Sequence, residues 1–181
     1  MRTKPIYVVD VIETTVDATN VAVIDELKNY DPMIEQINYQ YGSYDEICST
    51  LDQMSKQSDK QYKRYPLFAV IMSFSEDKGR QVGVDGTEDL NIIIARRSNP
   101  TDKTPERYCN NFKPVLYPVY LEWLNQLYLS GKFIIETPEN IPHTKIDWPY
   151  YDTEKGENRF NDYVDAIQIK IKLKLLLKNC Y

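Results

Sequence analysis

The sequence predicts an α+β fold: a mostly antiparallel sheet with helices packed on it and a long C-terminal strand. Three patterns predict it. From Ile167 onward, Ile167, Ile169, Ile171, Leu173 and Leu175 alternate without a break with Gln168, Lys170, Lys172 and Lys174, the period of two of a strand with one buried and one wet face. Leu116, Val119, Tyr120, Trp123, Leu124, Leu127 and Tyr128 recur at helical spacing. Leu67–Phe74 and Leu90–Ala95 are short runs rich in β-branched and aromatic residues, bounded by turn residues, as buried strands are.

Taken in chain order, the segment from Ile6 to Ile12 combines a near-helical spacing (Ile6, Val9, Ile12, Val16) with a β-branched cluster, and predicts an N-terminal helix. Thr19–Tyr30 carries a second apolar patch, Val21–Ile24 followed by Leu27, that fits a helix or a strand. Asp31-Pro32 ends it, because a residue before proline is pushed out of helical angles. Ser43-Tyr44-Asp45-Glu46 has the capping-box spacing, and Ile47, Leu51 and Met54 then give a helix with one apolar face. Lys56–Arg64 is polar and closes it before Tyr65-Pro66.

Ser75–Asp89 is a polar, acid-rich connector with Gly79, Gly83 and Gly86, read as a long hairpin tip or a projecting loop. Ser98–Pro105 is a second loop. The strong helix through Trp123 stops at Gly131, and Phe133–Glu136 is a short strand. Pro138–Gly156 is expected to be irregular. The final strand, Val164–Leu175, would reach on the order of 40 Å. A strand of that length is expected to run beyond its own domain or along a partner subunit. The 181 residues suit one domain, with extended loops near 75–89 and 138–156.

Composition narrows the function classes. No apolar run approaches the roughly 20 residues of a membrane span, and no signal-peptide pattern opens the chain, so synthesis in the cytoplasm is expected. Cys48, Cys109 and Cys180 are scattered and odd in number, as in reduced thiols rather than a disulfide framework or a zinc site. A net charge of −5 argues against a general nucleic-acid binder. Fifteen tyrosines against six glycines fit either a contact-rich surface or an AT-rich coding sequence.

Chemistry is sparse. The lone histidine, His143, lies in a proline-rich aromatic stretch and reads as a loop residue without a nucleophile to serve. Asp85, Glu88 and Asp89 could gather around Mg²⁺ but lack a calcium-loop spacing, and no P-loop, G-x-G-x-x-G or histidine pair is present. The reading is a non-enzyme with no cofactor and no metal site. Candidate contact residues are Arg96 and Arg97 at a strand end, Tyr117 one step off the buried helical register, and Trp148, Tyr150 and Tyr151. Lys170, Lys172 and Lys174 complete the set: they read as guards against edge aggregation, as contacts to an acidic neighbour, or as contacts to DNA phosphates.

Four local patterns occur in a fixed order. Tyr39-Gln40-Tyr41-Gly42-Ser43 leads into Glu46-Ile47 and Leu51, and Tyr65-Pro66-Leu67 opens an apolar strand. Arg107 precedes Pro114-Val115-Leu116-Tyr117-Pro118 and a long helix, and Asp162-Tyr163-Val164-Asp165-Ala166-Ile167 enters the final strand. In this order, across roughly Ile37–Leu175, the chain resembles the head-to-tail connector proteins of tailed bacteriophages, the neck-ring or tail-terminator-like group. The resemblance implies a small α+β virion subunit that forms a closed homo-oligomeric ring between portal and tail around the DNA channel. Neighbouring portal, neck or tail proteins would be its partners, with non-specific contact to packaged DNA and none to a membrane. It supplies no catalytic residues. The rival expectations are a metal-dependent nucleic-acid-processing protein using Asp85, Glu88 or Asp89, and a monomeric protein-binding adaptor.

Overall fold

The structure, a computed structural model, describes residues 7–71, 76–77, 87–135, 143–148, 151–152, 157–158 and 162–175. Its first element is one helix, α1 (Val8–Tyr30), where the sequence suggested two separate patches. Val8, Val11, Ile12, Thr15, Val16, Thr19, Val23 and Leu27 form a single buried stripe along it. Packing therefore overrides the poor helical propensity of its valines and threonines. The buried hydroxyls are satisfied locally: Thr15 donates to the Ile12 carbonyl (2.7 Å) and Thr19 to the Thr15 carbonyl (2.8 Å). Asp31, extended before Pro32, caps the end through its N–H to Leu27 O.

Strand β1 (Asn38–Gly42) follows, then α2 (Tyr44–Ser55), a 3₁₀ turn (Gln61–Arg64) and β2 (Leu67–Ile71). The capping box is present: the Ser43 hydroxyl accepts from Glu46 N–H, and the Glu46 carboxylate accepts from Ser43 N–H at 2.7 Å. Strand β3 (Glu76–Asp77) pairs with the start of β4 (Thr87–Arg97), so the acidic connector has hairpin arms at both ends. The connector's middle, 78–86, lies outside the described residues.

A continuous helical segment comes next: α3 (Thr104–Arg107), a π-helical stretch (Tyr108–Leu116) and α4 (Tyr117–Leu129). Tyr117 N–H reaches back five residues to Phe112 O. Pro114 has no N–H for Asn110 O, its acceptor in a regular helix. That carbonyl instead accepts from Tyr30 Oη (3.0 Å) and Arg96 (3.1 Å), so a local defect becomes a tertiary tie. On α4 the expected stripe buries Val119, Tyr120, Trp123 and Leu127, with Leu124 partly covered, while Tyr128 is exposed.

The remaining strands are β5 (Phe133–Ile135), β6 (His143–Trp148), the small β7 (Tyr151–Asp152) and β8 (Glu157–Asn158) pair, and β9 (Val164–Leu175). The main sheet runs β1-β2-β4-β9-β5, with β3 beside β4 and β6 beside β9. Among the described strands, only β1 against β2 is parallel. This is the α+β class with a mostly antiparallel sheet.

Two expectations need correcting. The long strand does not project: Val164–Lys174 is paired along its length with Thr87–Arg97, and its other edge carries β6 and then β5. Its length is spent in the middle of the sheet, paired with β4 over 164–174 on one edge and with β6 over 164–169 and β5 over 173–175 on the other. The stretch read as irregular contains β6, and His143 begins that strand opposite Ile169 instead of sitting in a loop.

The two faces of the sheet are covered unequally. On one, Phe68, Val70, Ile92, Ile94, Ile167, Ile169, Ile171 and Leu173 pack with α1, the π stretch and α4. On the other, α2 covers only one end, where Ile47 and Leu51 meet Leu67, Ala69, Ile93, Ala95, Val164 and Ala166.

Candidate functional site: an arginine cleft and a bare sheet face

The residues that enter β9 carry two carboxylates, Asp162 partly buried and Asp165 fully buried, and three distant segments converge on them. Arg64 pairs with Asp162 Oδ2, Tyr65 Oη donates to the same oxygen (3.4 Å), and Arg97 Nε lies 3.7 Å from Asp162 Oδ1. Asp165, fully buried, pairs with Arg107 and accepts from Asn111 Nδ2 at 2.5 Å. Between them, Ser98 N–H donates to Tyr163 O (2.7 Å). Burial, and then the negative charge of Asp162, push the Tyr65 hydroxyl well above its ordinary value, so it acts as a hydrogen-bond donor. Three of the four patterns picked out in the sequence, those at Tyr65, Arg107 and Asp162–Ile167, thus meet at one end of the sheet.

Beside this cluster opens a cleft of about 520 Å³, walled by Arg64, Arg96, Arg97, Tyr65, Ser98 and Asp31 among others. Arg96, proposed from sequence as a contact residue, turns inward. It donates to Asp31 Oδ2 (2.8 Å) and Asn110 O (3.1 Å) and stacks over the Tyr30 ring at 5.2 Å. It ties the end of β4 to the end of α1. Arg97 is the exposed arginine of the set, with 68% of its side chain accessible. The cleft sets three guanidiniums against Asp31 and the neighbouring Asp162, a mildly cationic wall able to receive an anionic group at Arg97. Among the described residues no three His, Cys, Asp or Glu side chains group to hold a metal ion, and no helix is long and apolar enough to cross a membrane.

The lysine row lies on the other face from the large core. Ile169, Ile171 and Leu173 are buried against the helices, so Lys170 and Lys172, which alternate with them, stand on the face that α2 leaves uncovered. Both are exposed. Lys174 continues the row by register, opposite Thr87 on β4 and Ile134 on β5. The row is bordered by Gln168, whose amide donates to Asn91 Oδ1 at 2.8 Å. Ile134 is 45% exposed.

Tyr117 is partly buried, its ring 6.2 Å from Phe112 and 6.4 Å from Tyr108, on the rim of a shallow groove between α1 and α4. It is a packing residue more than a free contact. Trp148 and Tyr151 fall in β6 and β7 by backbone, but their side chains, and Tyr150 altogether, lie outside the described residues. Cys48 and Cys109 are in no disulfide; Cys180 is outside the described residues.

Sequence reasoning overlooked the outer face of α1. Asp10, Glu13, Asp17 and Asp25 are all exposed there, and Lys28 is the only base on the helix. The signal was present as acids at helical spacing, but it required knowing that residues 8–30 form one helix.

No family model matches the chain, and no curated protein matches it significantly.

Proposed function

We propose that this chain is a structural subunit of a tailed-bacteriophage virion, assembling into a ring in the neck or tail that connects portal and tail around the DNA channel. What supports the reading is the joint placement of the residues that carry the resemblance. Tyr65, Arg107 and the pair Asp162 and Asp165, three segments far apart in sequence, form one partly buried polar junction where β9 enters the sheet. Three of the four quoted patterns therefore meet in one place in the fold, and the chain's order of elements is the small α+β kind that the resemblance implies. The junction fixes the shape of the subunit and leaves its outer faces to make contacts, which is how a repeated head-to-tail interface closes a ring.

The test is reconstitution with the portal protein of the same phage, viewed by electron microscopy. A ring of this protein stacked coaxially on the portal supports the reading. Failure of the two proteins to associate in any ratio, with portal competent to bind other neck proteins, overturns it.

A further inference from the structure

Two charge features among the described residues lie on opposite faces of the sheet and have opposite sign. On α1, Asp10, Glu13 and Asp17 form an exposed stripe at i, i+3 and i+7, outside the buried stripe that holds Ile12, Val16 and Thr19, with Asp25 one turn beyond Val21. None of these carboxylates is ion-paired within the described chain. Val21, 79% exposed, interrupts the stripe with an apolar side chain. Across the molecule, Lys170, Lys172 and the register position of Lys174 form a row on the sheet face that α2 leaves bare, and Ile134 is an exposed apolar neighbour of that row. Asp89 stands opposite Lys172 in the backbone register and is the acid nearest the row on β4.

The dimensions correspond. Lys170 to Lys174 spans about 13 Å at roughly 3.3 Å per residue. Asp10 to Asp17 spans about 10 Å at roughly 1.5 Å per residue. The helix thus offers three exposed acids and the sheet two exposed lysines, with Lys174 next in backbone register, over similar lengths and each beside one exposed aliphatic group. A surface and its complement on opposite sides of one chain make a heterologous contact, which repeats from copy to copy.

Resting on the ring reading above, we infer that the bare sheet face of one subunit, through Lys170, Lys172 and Lys174, docks on the acidic stripe of α1, Asp10, Glu13 and Asp17, of a second copy. The contact sets the polarity of the ring: every subunit offers its sheet face in one direction around the axis and its helix face in the other.

Charge reversal tests this with the full chain. One variant carries Lys170→Glu, Lys172→Glu and Lys174→Glu; a second carries Asp10→Lys, Glu13→Lys and Asp17→Lys; a third carries all six changes. Like charges placed across a contact repel, so each single-face variant is expected to need at least about 100-fold more protein for half-assembly by native mass spectrometry. Mixing the two single-face variants, or making all six changes, restores complementarity and should restore the ring. Circular dichroism and thermal melting check that each variant folds. Should one precipitate, the salt response of the unmodified ring decides: going from about 0.1 M to about 1 M NaCl shortens the Debye length from ~10 to ~3 Å and should dissociate it. Three results overturn the inference while leaving the ring itself standing. These are single-face variants that assemble like the parent, loss of assembly that mixing does not rescue, and a lysine-face variant that keeps its ring but loses DNA retention, which would place the row in the channel. A parent protein that stays monomeric at every concentration overturns both the inference and the ring reading.

Discussion

Asp165 and Arg107 are ion-paired between the second residue of β9 and the last residue of α3, and the carboxylate has no exposed surface. Asn111 supplies a further hydrogen bond from the π stretch. A charge is tolerated at such a depth only when it is paired and hydrogen-bonded. The junction therefore locks the helical segment onto the strand at the point where three distant parts of the chain meet.

Removing one partner leaves the other charge buried. Asp165→Ala is expected to cost about 3–5 kcal/mol in urea unfolding. A loss below about 1 kcal/mol would mean that Arg107 finds water or another acceptor, and that the junction is not a lock.

The strand assignment makes a paired prediction. Ile169 is fully buried, so Ile169→Asp should cost about 3 kcal/mol or more by placing an unpaired charge in the core. The next residue, Lys170, is exposed on the opposite face, and Lys170→Asp should change subunit stability by only about 0.5 kcal/mol. Equal effects at the two positions would contradict the period-two burial of β9.

Arg96 holds α1, β4 and the π stretch together through Asp31, Tyr30 and Asn110. Arg96→Ala should cost about 2 kcal/mol, since hydrogen bonds to charged groups contribute roughly that much. Arg96→Lys should recover only part of the loss, because an ammonium lacks the planar fork that reaches both acceptors. Neither change is expected to alter assembly of the folded subunit, which separates this inward-facing role from a contact role; sedimentation of the purified variants reads it.

The capping box has a pH signature. The Ser43 backbone N–H, and then its side chain, hold the Glu46 carboxyl below its ordinary value of 4.5. A carboxyl with a lower value in the folded state stabilises the fold above the unfolded value and loses that contribution as pH falls through the folded one. An NMR titration should therefore place Glu46 below 4.5, and Glu46→Gln should flatten the acid side of the stability profile below that pH. Ser43→Ala should cost about 1 kcal/mol at neutral pH.

Local signals were the legible ones. Ser43 and Glu46 announce the start of α2 because a cap needs only neighbours three residues apart. The Ile167–Leu173 alternation marks a strand because burial on one face writes itself into every second residue. What the sequence hid was set by distant partners. Nothing near Asp165 announces Arg107, and nothing near Arg96 announces Asp31 and Asn110, so one arginine read as a surface contact is an internal clamp. The valine- and threonine-rich start of α1 looked divided between helix and strand because packing, not propensity, decides it. The length of β9 suggested an arm toward a partner. It fills the centre of the sheet because β4 is nearly as long and β5 and β6 share its other edge. Of the candidate contacts, the lysine row stands out on a bare face as its alternation implied, while the matching acids of α1 became visible only once that helix was whole.

The most direct test of the proposed assembly is native mass spectrometry of the purified chain, alone and then with the proteins encoded beside it. The account predicts a single closed oligomer of one defined stoichiometry, formed alone or on the portal. A monomer that persists under both conditions would contradict it.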